Sequence, residues 1–447
     1  MSTQAPPRPP VGEGPRTSRN RRRARYRRRR ILAALGLALL IFFGWVAFSL
    51  GGALTNPALG TSIGARFAEW ARDHGGASLV TMVENEWYKF HQPPKGGKPP
   101  KGAIPVAGST ATTVPSVGLP VPAAVVPPAS PPLPGEGVWH PAGRTVDGVP
   151  GLYEAFVRPD PIHTSLVAGI VWMDTKLLHP TLYSGSYIPG GGPYTNTAPI
   201  PATAQSTLVS AFNAGFRMQD ARGGYYTDGK IVPGYPLVDG AASFVIYKNG
   251  SSTVADWGRD ATLTPDVVSV RQNLALIVDG GAAVPGLIAN DNSQWGSTLG
   301  GAANVWRSGL GVTANGALVY VAGPGLTIVS LADLLVRAGA VRAMELDINT
   351  DWVQYSTYDP VGTGPAIGPS GVCGTMSVST TLNGTCLMTG MVGTPQRYFE
   401  SWWSRDFITM SATSATSGTQ IGRDAGSAAA ASSTSSTAAK KASPSAG

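Results

Sequence analysis

Residues 31–50, ILAALGLALLIFFGWVAFSL, form an uncharged apolar run. A helix of this length spans about 30 Å, the thickness of the hydrocarbon core of a bilayer. The segment RRRARYRRRR (21–30) directly precedes the run. Because positive charge is retained in the cytoplasm, the sequence predicts a single-pass signal-anchor at 31–51, a cytoplasmic Arg-rich arm at 1–30 and an extracytoplasmic remainder. A cleaved signal peptide is the alternative, although its apolar core usually has only about 7–15 residues.

The distribution of charge argues against a nucleic-acid binder. The chain has a net charge of +8, but residues 1–30 hold eleven Arg and one acid, so the rest of the chain is slightly acidic. A protein that binds nucleic acid needs a basic folded surface. We therefore expect no nucleic-acid partner, and we expect membrane lipid to be a partner through residues 31–50.

Composition divides the remainder into four segments. Residues 61–90 read as a short helical stalk, because Phe67, Trp70 and Ala71 share one helical face before a break at Gly75-Gly76. Thirteen of the 46 residues in 91–136 are Pro, which predicts an extended linker with a reach on the order of 100 Å. Residues 137–410 have globular texture. The Ser/Ala/Thr-rich tail at 411–447 lacks the apolar residues needed to fold.

The globular segment reads as an α+β fold, a mixed β-sheet domain with few helices. One helix is predicted, with Ser330 and Asp333 as its capping box and Gly339 at its end. The helix lies between two apolar runs, 317–322 and 341–347, and this order of strand, helix and strand predicts a crossover unit. The strand-like runs bounded by Gly and Pro are 152–158, 166–174, 206–213, 243–248, 274–279, 309–313, 317–322, 341–347 and 352–358.

Two cysteines are too few for a disulfide framework or a four-Cys zinc site. Cys373 and Cys386 both lie in the predicted exterior domain, where an oxidising environment favours a disulfide. Two free buried thiols are the alternative.

Polar residues at the ends of apolar runs are the candidate site. Glu345 and Asp347 share one face of a predicted strand, and Asp351 follows in the loop. Three acids and Asn349 within seven residues could also bind a divalent cation, so the cofactor stays open. A guanidinium suits bidentate binding of phosphate or carboxylate. The full set of candidates comprises Asp347, Arg307, Glu345 and Asp351 as catalytic residues, and Asn213, Asp279, Asn349, Trp352 and Trp306 as substrate-binding residues.

The order of these motifs resembles the phosphodiester glycosidase family. The resemblance covers roughly 205–355 and rests on FNAGF, NLALIVDGG, WRSGLGVTANGALVYV and LTIVSLADLLVRAGAVRAMELD. It implies a divergent bacterial, membrane-anchored hydrolase of sugar-1-phosphodiesters. Asn213, Arg307 and Asp347 match family positions. By that match Asp347 would be the carboxylate that activates water or attacks the sugar, Arg307 would neutralise the departing phosphate, and Asn213 would orient the substrate.

The sequence departs from the family directly after Asp347. The family has Gly-Gly-Gly-Ser there, whereas this chain has Ile348-Asn349-Thr350-Asp351-Trp352. Two functions remain open: a hydrolase acting on sugar phosphodiesters of cell-envelope glycans, and a non-catalytic envelope glycan-binding protein on the same fold. In the second case Trp295, Trp306 and Trp352 would stack on sugar rings.

Overall fold

The N-terminal part of the protein is helical in a computed structural model that describes residues 16–106, 117–287, 295, 304–368 and 373–413. Helix α1 (Arg16–Thr55) contains a stretch, Arg22–Thr55, that is long and apolar enough to cross a membrane, with a mean hydropathy of 2.6 in its most apolar window. None of that window is buried against the rest of the chain. The helix is a sign of a membrane anchor by length and composition.

Two shorter helices occupy the predicted stalk. These are α2 (Ile63–Ala71) and α3 (Ala77–Phe90). A five-residue turn, Arg72–Gly76, joins them, and Gly75 adopts a φ of +85° there. Glycine takes up this left-handed conformation without the steric cost of a Cβ atom, which explains why the break falls where the sequence predicts it.

The remainder is dominated by antiparallel sheets. The strands are β1 (His140–Val146), β2 (Val149–Val157), β3 (Ala168–Met173), β4 (Leu178–Tyr183), β5 (Leu208–Asn213), β6 (Tyr225–Thr227), β7 (Lys230–Ile231), β8 (Ala242–Tyr247), β9 (Ser252–Asp256), β10 (Val267–Gln272), β11 (Leu276–Asp279), β12 (Ala282–Ala283), β13 (Val305–Thr313), β14 (Leu318–Leu326), β15 (Ala340–Asp347), β16 (Tyr355–Pro360), β17 (Thr375–Ser377), β18 (Leu382–Cys386) and β19 (Phe407–Ala412). An eight-stranded sheet has the order β1-β2-β3-β14-β13-β15-β11-β12, a six-stranded sheet the order β17-β18-β16-β5-β19-β4, and a five-stranded sheet the order β7-β6-β10-β8-β9.

The core lies between these sheets because their strands alternate in the residues they present to each face. On β2, Leu152 and Phe156 point into the cluster shared with the six-stranded sheet. Tyr153, Ala155 and Val157 of the same strand point to the opposite side, where a helix covers the sheet. The α+β class with few helices is therefore confirmed.

In the described part of the sheet region, two segments are α-helical, α4 (Met218–Ala221) and α5 (Ile328–Arg337). Strands β14 and β15 both pair antiparallel with β13, so they run parallel to each other and α5 is a crossover between them, as predicted. The predicted cap was wrong by one turn. Thr327 caps α5, its hydroxyl accepting from the Ser330 amide at 2.9 Å, while the Ser330 hydroxyl accepts from the Thr327 amide at 2.8 Å. A hydroxyl therefore serves as the second capping group, and Asp333 pairs with Arg337 instead.

The Pro-rich segment does not extend away as a spacer where the structure describes it. The Gly96 amide donates to the Ile162 carbonyl at 2.7 Å, and Val125 is buried among residues of the eight-stranded sheet and α5. Glu136 forms a buried ion pair with Arg158 at 2.9 Å. The expected reach of about 100 Å is thus wrong for the described part, because apolar residues between the prolines pack on the domain. Residues 1–15, 107–116 and 414–447, which include most of the predicted tail, lie outside the described residues.

The predicted disulfide is present between Cys373 and Cys386. Cys386 ends β18, and the bond ties this strand to the segment leading into β17.

Candidate functional site

Asp347 lies at the C-terminal end of β15 and is 2% exposed. Its Oδ1 accepts hydrogen bonds from the amides of Ile348 and Asn349 at 2.8 and 2.9 Å. These bonds fix the carboxyl group against the start of the following loop. The other oxygen, Oδ2, is left as the atom that can act on a ligand.

A buried polar network ties Asp347 to the neighbouring sheet. The Asn213 amide nitrogen donates to the Ser308 hydroxyl at 3.0 Å, and that hydroxyl accepts from the Asp347 backbone amide at 3.2 Å. Asn213 Oδ1 accepts from the Tyr320 hydroxyl at 2.9 Å and the Gln354 amide at 3.2 Å. Both ends of the Asn213 side chain are engaged within the protein. It therefore positions the backbone at Asp347, and the geometry does not support the predicted contact with substrate.

Arg307 and Glu345 form an ion pair beneath the site. Arg307 Nη1 lies 2.6 Å from Glu345 Oε1, and Arg307 Nε donates to the Leu326 carbonyl at 2.9 Å. Both side chains are almost fully buried, and neither lines the cavity at Asp347. The predicted roles of Arg307 as phosphate ligand and Glu345 as second carboxylate do not fit this placement, because the two charges neutralise each other inside the sheet.

Burial changes the acidity of these carboxyl groups. Loss of solvation raises the pKa of Asp347 to about 7, although the Arg405 guanidinium and the two backbone amides act in the opposite direction. Loss of solvation also raises the pKa of Glu345 to about 6, against the attraction of Arg307. Asp347 is thus poised to exchange a proton near neutral pH.

Two guanidinium groups lie at the cavity beside Asp347. The sequence patterns did not indicate either of them. Arg217 follows β5 and Arg405 precedes β19. The Arg405 guanidinium stacks over the Trp352 ring at 4.1 Å, and Arg217 pairs with Asp220 at 2.9 Å. The only local signal was the position of each arginine beside an aromatic motif at a strand end. Their convergence depends on the long-range pairing of β5 with β19.

A side chain from α2 closes this cavity. Glu69 is 7% exposed and lines the cavity together with Asp347, Arg217 and Arg405. The cavity has a volume of only about 40 Å³, on the order of one or two water molecules. A second cavity of about 280 Å³ is also lined by Glu69 and shares Arg217, Arg405 and Trp352 as lining residues.

The loop after Asp347 contributes further predicted residues. Trp352 is 5% exposed and lines both cavities, and Asn349 lines the smaller one. Asp351 turns away, because its Oδ1 accepts from the backbone amide of Thr61 at 3.1 Å. Its predicted catalytic role is therefore not supported by its position.

Three other predicted binding residues lie outside the cavity. Asp279 is at the surface, where it pairs with Arg259 at 2.7 Å. Trp306 packs against the core, and the buried Trp295 ring donates to the Leu276 carbonyl at 3.2 Å. Each side chain is held by a partner that keeps it away from Asp347.

The carboxylates do not gather as a metal site in the described part of the chain. Glu345 turns to Arg307, Asp347 to backbone amides and Asp351 to Thr61. Within residues 16–106, 117–287, 295, 304–368 and 373–413, no three His, Cys, Asp or Glu side chains are grouped as ligands.

Comparison with solved structures gives distant matches. The zebrafish N-acetylglucosamine-1-phosphodiester alpha-N-acetylglucosaminidase catalytic domain, auto-inhibited by its pro-peptide, has 17% identity and a TM-score of 0.34, over 49% of this chain and 77% of that chain. A hypothetical protein from Synechocystis has 12% identity and a TM-score of 0.28, over 61% of this chain and 64% of that chain. No curated protein sequence matches the chain.

The match to a family model is more direct. The phosphodiester glycosidase model aligns with residues 206–347, from the start of β5 to Asp347 at the end of β15. This range contains Asn213, Arg217, Ser308 and Asp347, and its fold supports a hydrolase-like role. Residues 206–347 are therefore a phosphodiester glycosidase domain, the family that the sequence motifs indicated.

Proposed function

We propose that this protein is a membrane-anchored hydrolase that cleaves sugar-1-phosphodiester linkages of cell-envelope glycans on the outer side of the membrane. The observation that carries the proposal is the placement of Asp347. A buried carboxyl group with a pKa raised to about 7 lies at a strand end, beside a cavity that also contains Arg217 and Arg405. A carboxyl group next to cationic groups suits attack on a sugar carbon whose leaving group is an anion.

The reaction needs one water molecule. In the ionised form, Asp347 Oδ2 accepts a proton from water as the water oxygen bonds to the anomeric carbon. The bond between that carbon and the phosphate oxygen breaks, and its electron pair leaves with the phosphate. The products are a free sugar and a phosphomonoester, whose added negative charge the arginines stabilise. Attack by Asp347 itself on the anomeric carbon is the covalent variant of the same chemistry.

The proposed location rests on helix α1 and on the disulfide in the domain. The apolar α1 and the Arg-rich segment before it fit a span with a cytoplasmic N-terminus. The Cys373–Cys386 disulfide fits an oxidising exterior for the domain. Envelope glycans are the sugar phosphodiesters accessible to a domain in that position.

A non-catalytic glycan-binding protein is the second candidate, and one observation favours it. Ile348, where the family has glycine, is 4% exposed and packs with Phe216 and Val305. Trp352 places an aromatic ring at both cavities. Such a ring could stack on a bound sugar without any bond being broken.

Release of sugar separates these two functions. The full-length protein in detergent would be given 4-nitrophenyl phosphodiesters of several sugar 1-phosphates. Because Glu69 lines the small cavity at Asp347 and forms ion pairs with Arg217 and Arg405, each assay is run with the wild-type protein and with Glu69→Gln, which weakens those ion pairs. Asp347→Asn should lower turnover by about 10²–10⁴-fold. Asp333→Asn, the same chemical change on the exposed face of α5, is the control and should have no effect.

The opposite result would support the binding protein. If glycan binds to both forms and no sugar is released from any substrate, the proposed hydrolase is wrong.

A further inference from the structure

Helix α2 places a carboxylate between the two arginines of the candidate site. Glu69 Oε2 lies 3.1 Å from Arg217 Nη1, and Glu69 Oε1 lies 3.6 Å from Arg405 Nη2. The remaining charged contact of Glu69 is with Arg72 on the same helical segment, at 3.4 Å. Asp73, on the turn after α2, also pairs with Arg217 Nη1, at 3.3 Å. The carboxylate thus bridges two guanidinium groups that belong to the sheet domain.

The domain by itself supplies an anion-binding site at this position. Arg405 is 7% exposed and carries its charge in a place where water is largely excluded. Burying a guanidinium is costly unless an anion neutralises it. Asp220 pairs with Arg217 from the solvent side and Asp347 faces Arg405. Among the described residues, Glu69 is the acidic side chain that pairs with both guanidinium groups.

We propose that Arg217 and Arg405 form the subsite for the two non-bridging oxygens of a phosphodiester, and that Glu69 occupies this subsite in the resting protein. This inference rests on the proposed function and adds to it the residues that bind the phosphate. A carboxylate and a phosphodiester each present two equivalent oxygens that share one negative charge. Guanidinium groups bind both in the same way.

The position of Glu69 at two cavities limits access of a substrate to Asp347. Glu69 lines both the cavity of about 40 Å³ at Asp347 and the cavity of about 280 Å³ beside it. Small-molecule sites have a volume of roughly 300 Å³ or more, so the space at Asp347 is too small for a sugar phosphodiester while Glu69 is in place. The substrate must therefore displace Glu69 to reach Asp347.

The connection of α2 to α1 makes Glu69 a tethered competitor. Only seven residues, 56–62, separate the end of α1 at Thr55 from the start of α2 at Ile63. This short connection is docked on the domain, since Thr61 donates to Asp351 and the Ser404 hydroxyl donates to the Ala58 carbonyl. A group on so short a tether has an effective concentration in the millimolar range or above. Access to the site is thus linked to the segment that leaves the proposed membrane anchor.

Binding of a simple phosphodiester tests the subsite without requiring turnover. The probe is dimethyl phosphate, and its Kd is measured by NMR titration of the full-length protein in detergent. Glu69→Gln removes the competing charge while keeping the size of the side chain, so the Kd should fall by about 10-fold or more. Glu86→Gln on the exposed side of α3 is the matched control and should bind like the wild type.

A second pair of variants tests which residues bind the probe. Adding Arg217→Gln or Arg405→Gln to Glu69→Gln should abolish the gain in affinity, whereas adding Arg337→Gln, from the surface of α5, should preserve it. Equal affinity of the wild type and Glu69→Gln would overturn the proposal. So would a gain that survives the loss of both arginines.

Two further measurements distinguish a failure of the proposed subsite from a folding defect of the variant and from a failure of the proposed hydrolase. If Glu69→Gln does not show a cooperative thermal transition, Glu69→Ala is used, because it leaves a gap that the probe can fill. A variant that binds dimethyl phosphate more tightly and releases no sugar supports the subsite and contradicts the hydrolase. A variant that releases sugar with no change in dimethyl phosphate binding contradicts the subsite alone.

Discussion

At the scale of single residues, Asp347 was identified from its position at the end of an apolar strand, and the structure places it at the cavity. The arginines beside it could not be identified in this way. Arg217 and Arg405 lie far apart in the sequence and meet only because β5 pairs with β19. Arg307 was predicted instead, since a local pattern does not show that its charge is matched by Glu345 on the adjacent strand.

The buried carboxyl of Asp347 makes stability depend on pH. Its pKa rises from the ordinary value of 3.8 to about 7 in the folded protein. The folded state therefore holds the proton more tightly, so the free energy of unfolding falls as pH rises through this window and is lowest above about pH 7. The contribution is on the order of 4 kcal/mol. Asp347→Asn removes it while its side-chain oxygen can still accept from the two amides.

Thermal unfolding at two pH values measures this contribution. The stability of Asp347→Asn relative to the wild type should rise by about 2–3 kcal/mol between pH 5 and pH 8, because the wild type loses that much more as Asp347 ionises in the folded protein. The other buried carboxyls, including Glu345 and Asp359, titrate in both proteins and cancel in the comparison. A difference that stays constant between pH 5 and pH 8 would show that Asp347 does not titrate in this range.

At the scale of elements, the apolar runs predicted most strands of the central sheets and the crossover through α5. Short strands such as β7 and β12, with only two residues each, carry too little pattern to be predicted. The prolines of segment 91–136 predicted an extended backbone. They could not show that Val125 would find a hydrophobic surface on the domain and hold the segment there.

The ion pair between β13 and β15 is a structural element of the sheet. Glu345→Ala leaves the buried Arg307 without its carboxylate partner and should lower stability by about 3–5 kcal/mol. Combining Arg307→Met with Glu345→Leu should restore most of this loss, because both charges are then removed together. Stability is measured by urea unfolding in detergent.

The exposed pair Asp333–Arg337 on α5 is the comparison for this prediction. Asp333→Ala breaks it and should change stability by less than about 1 kcal/mol. If Glu345→Ala is as mild as Asp333→Ala, the Arg307–Glu345 pair does not stabilise the sheet, and a functional role for Arg307 would have to be considered again.

At the scale of the whole molecule, the juxtamembrane helices, the Pro-rich segment and the domain are joined by direct contacts. Thr61 and Ala58 bind the domain from the α1 side, and Gly96 and Glu136 bind it along the Pro-rich segment. This arrangement holds the domain next to the end of α1. It places α2 between the end of α1 and Asp347, so the candidate site would lie close to the surface of the proposed membrane.

In the proposed reaction, water attacks the anomeric carbon of a sugar-1-phosphodiester with the help of Asp347. Hydrolysis in ¹⁸O-labelled water, followed by mass spectrometry of both products, shows which bond is cleaved. We predict that Glu69→Gln releases sugar carrying ¹⁸O together with an unlabelled phosphomonoester, and that Asp347→Asn added to it abolishes the labelled sugar. Label in the phosphate product would show that the phosphorus–oxygen bond is cleaved and that attack on the anomeric carbon is not the reaction of this protein.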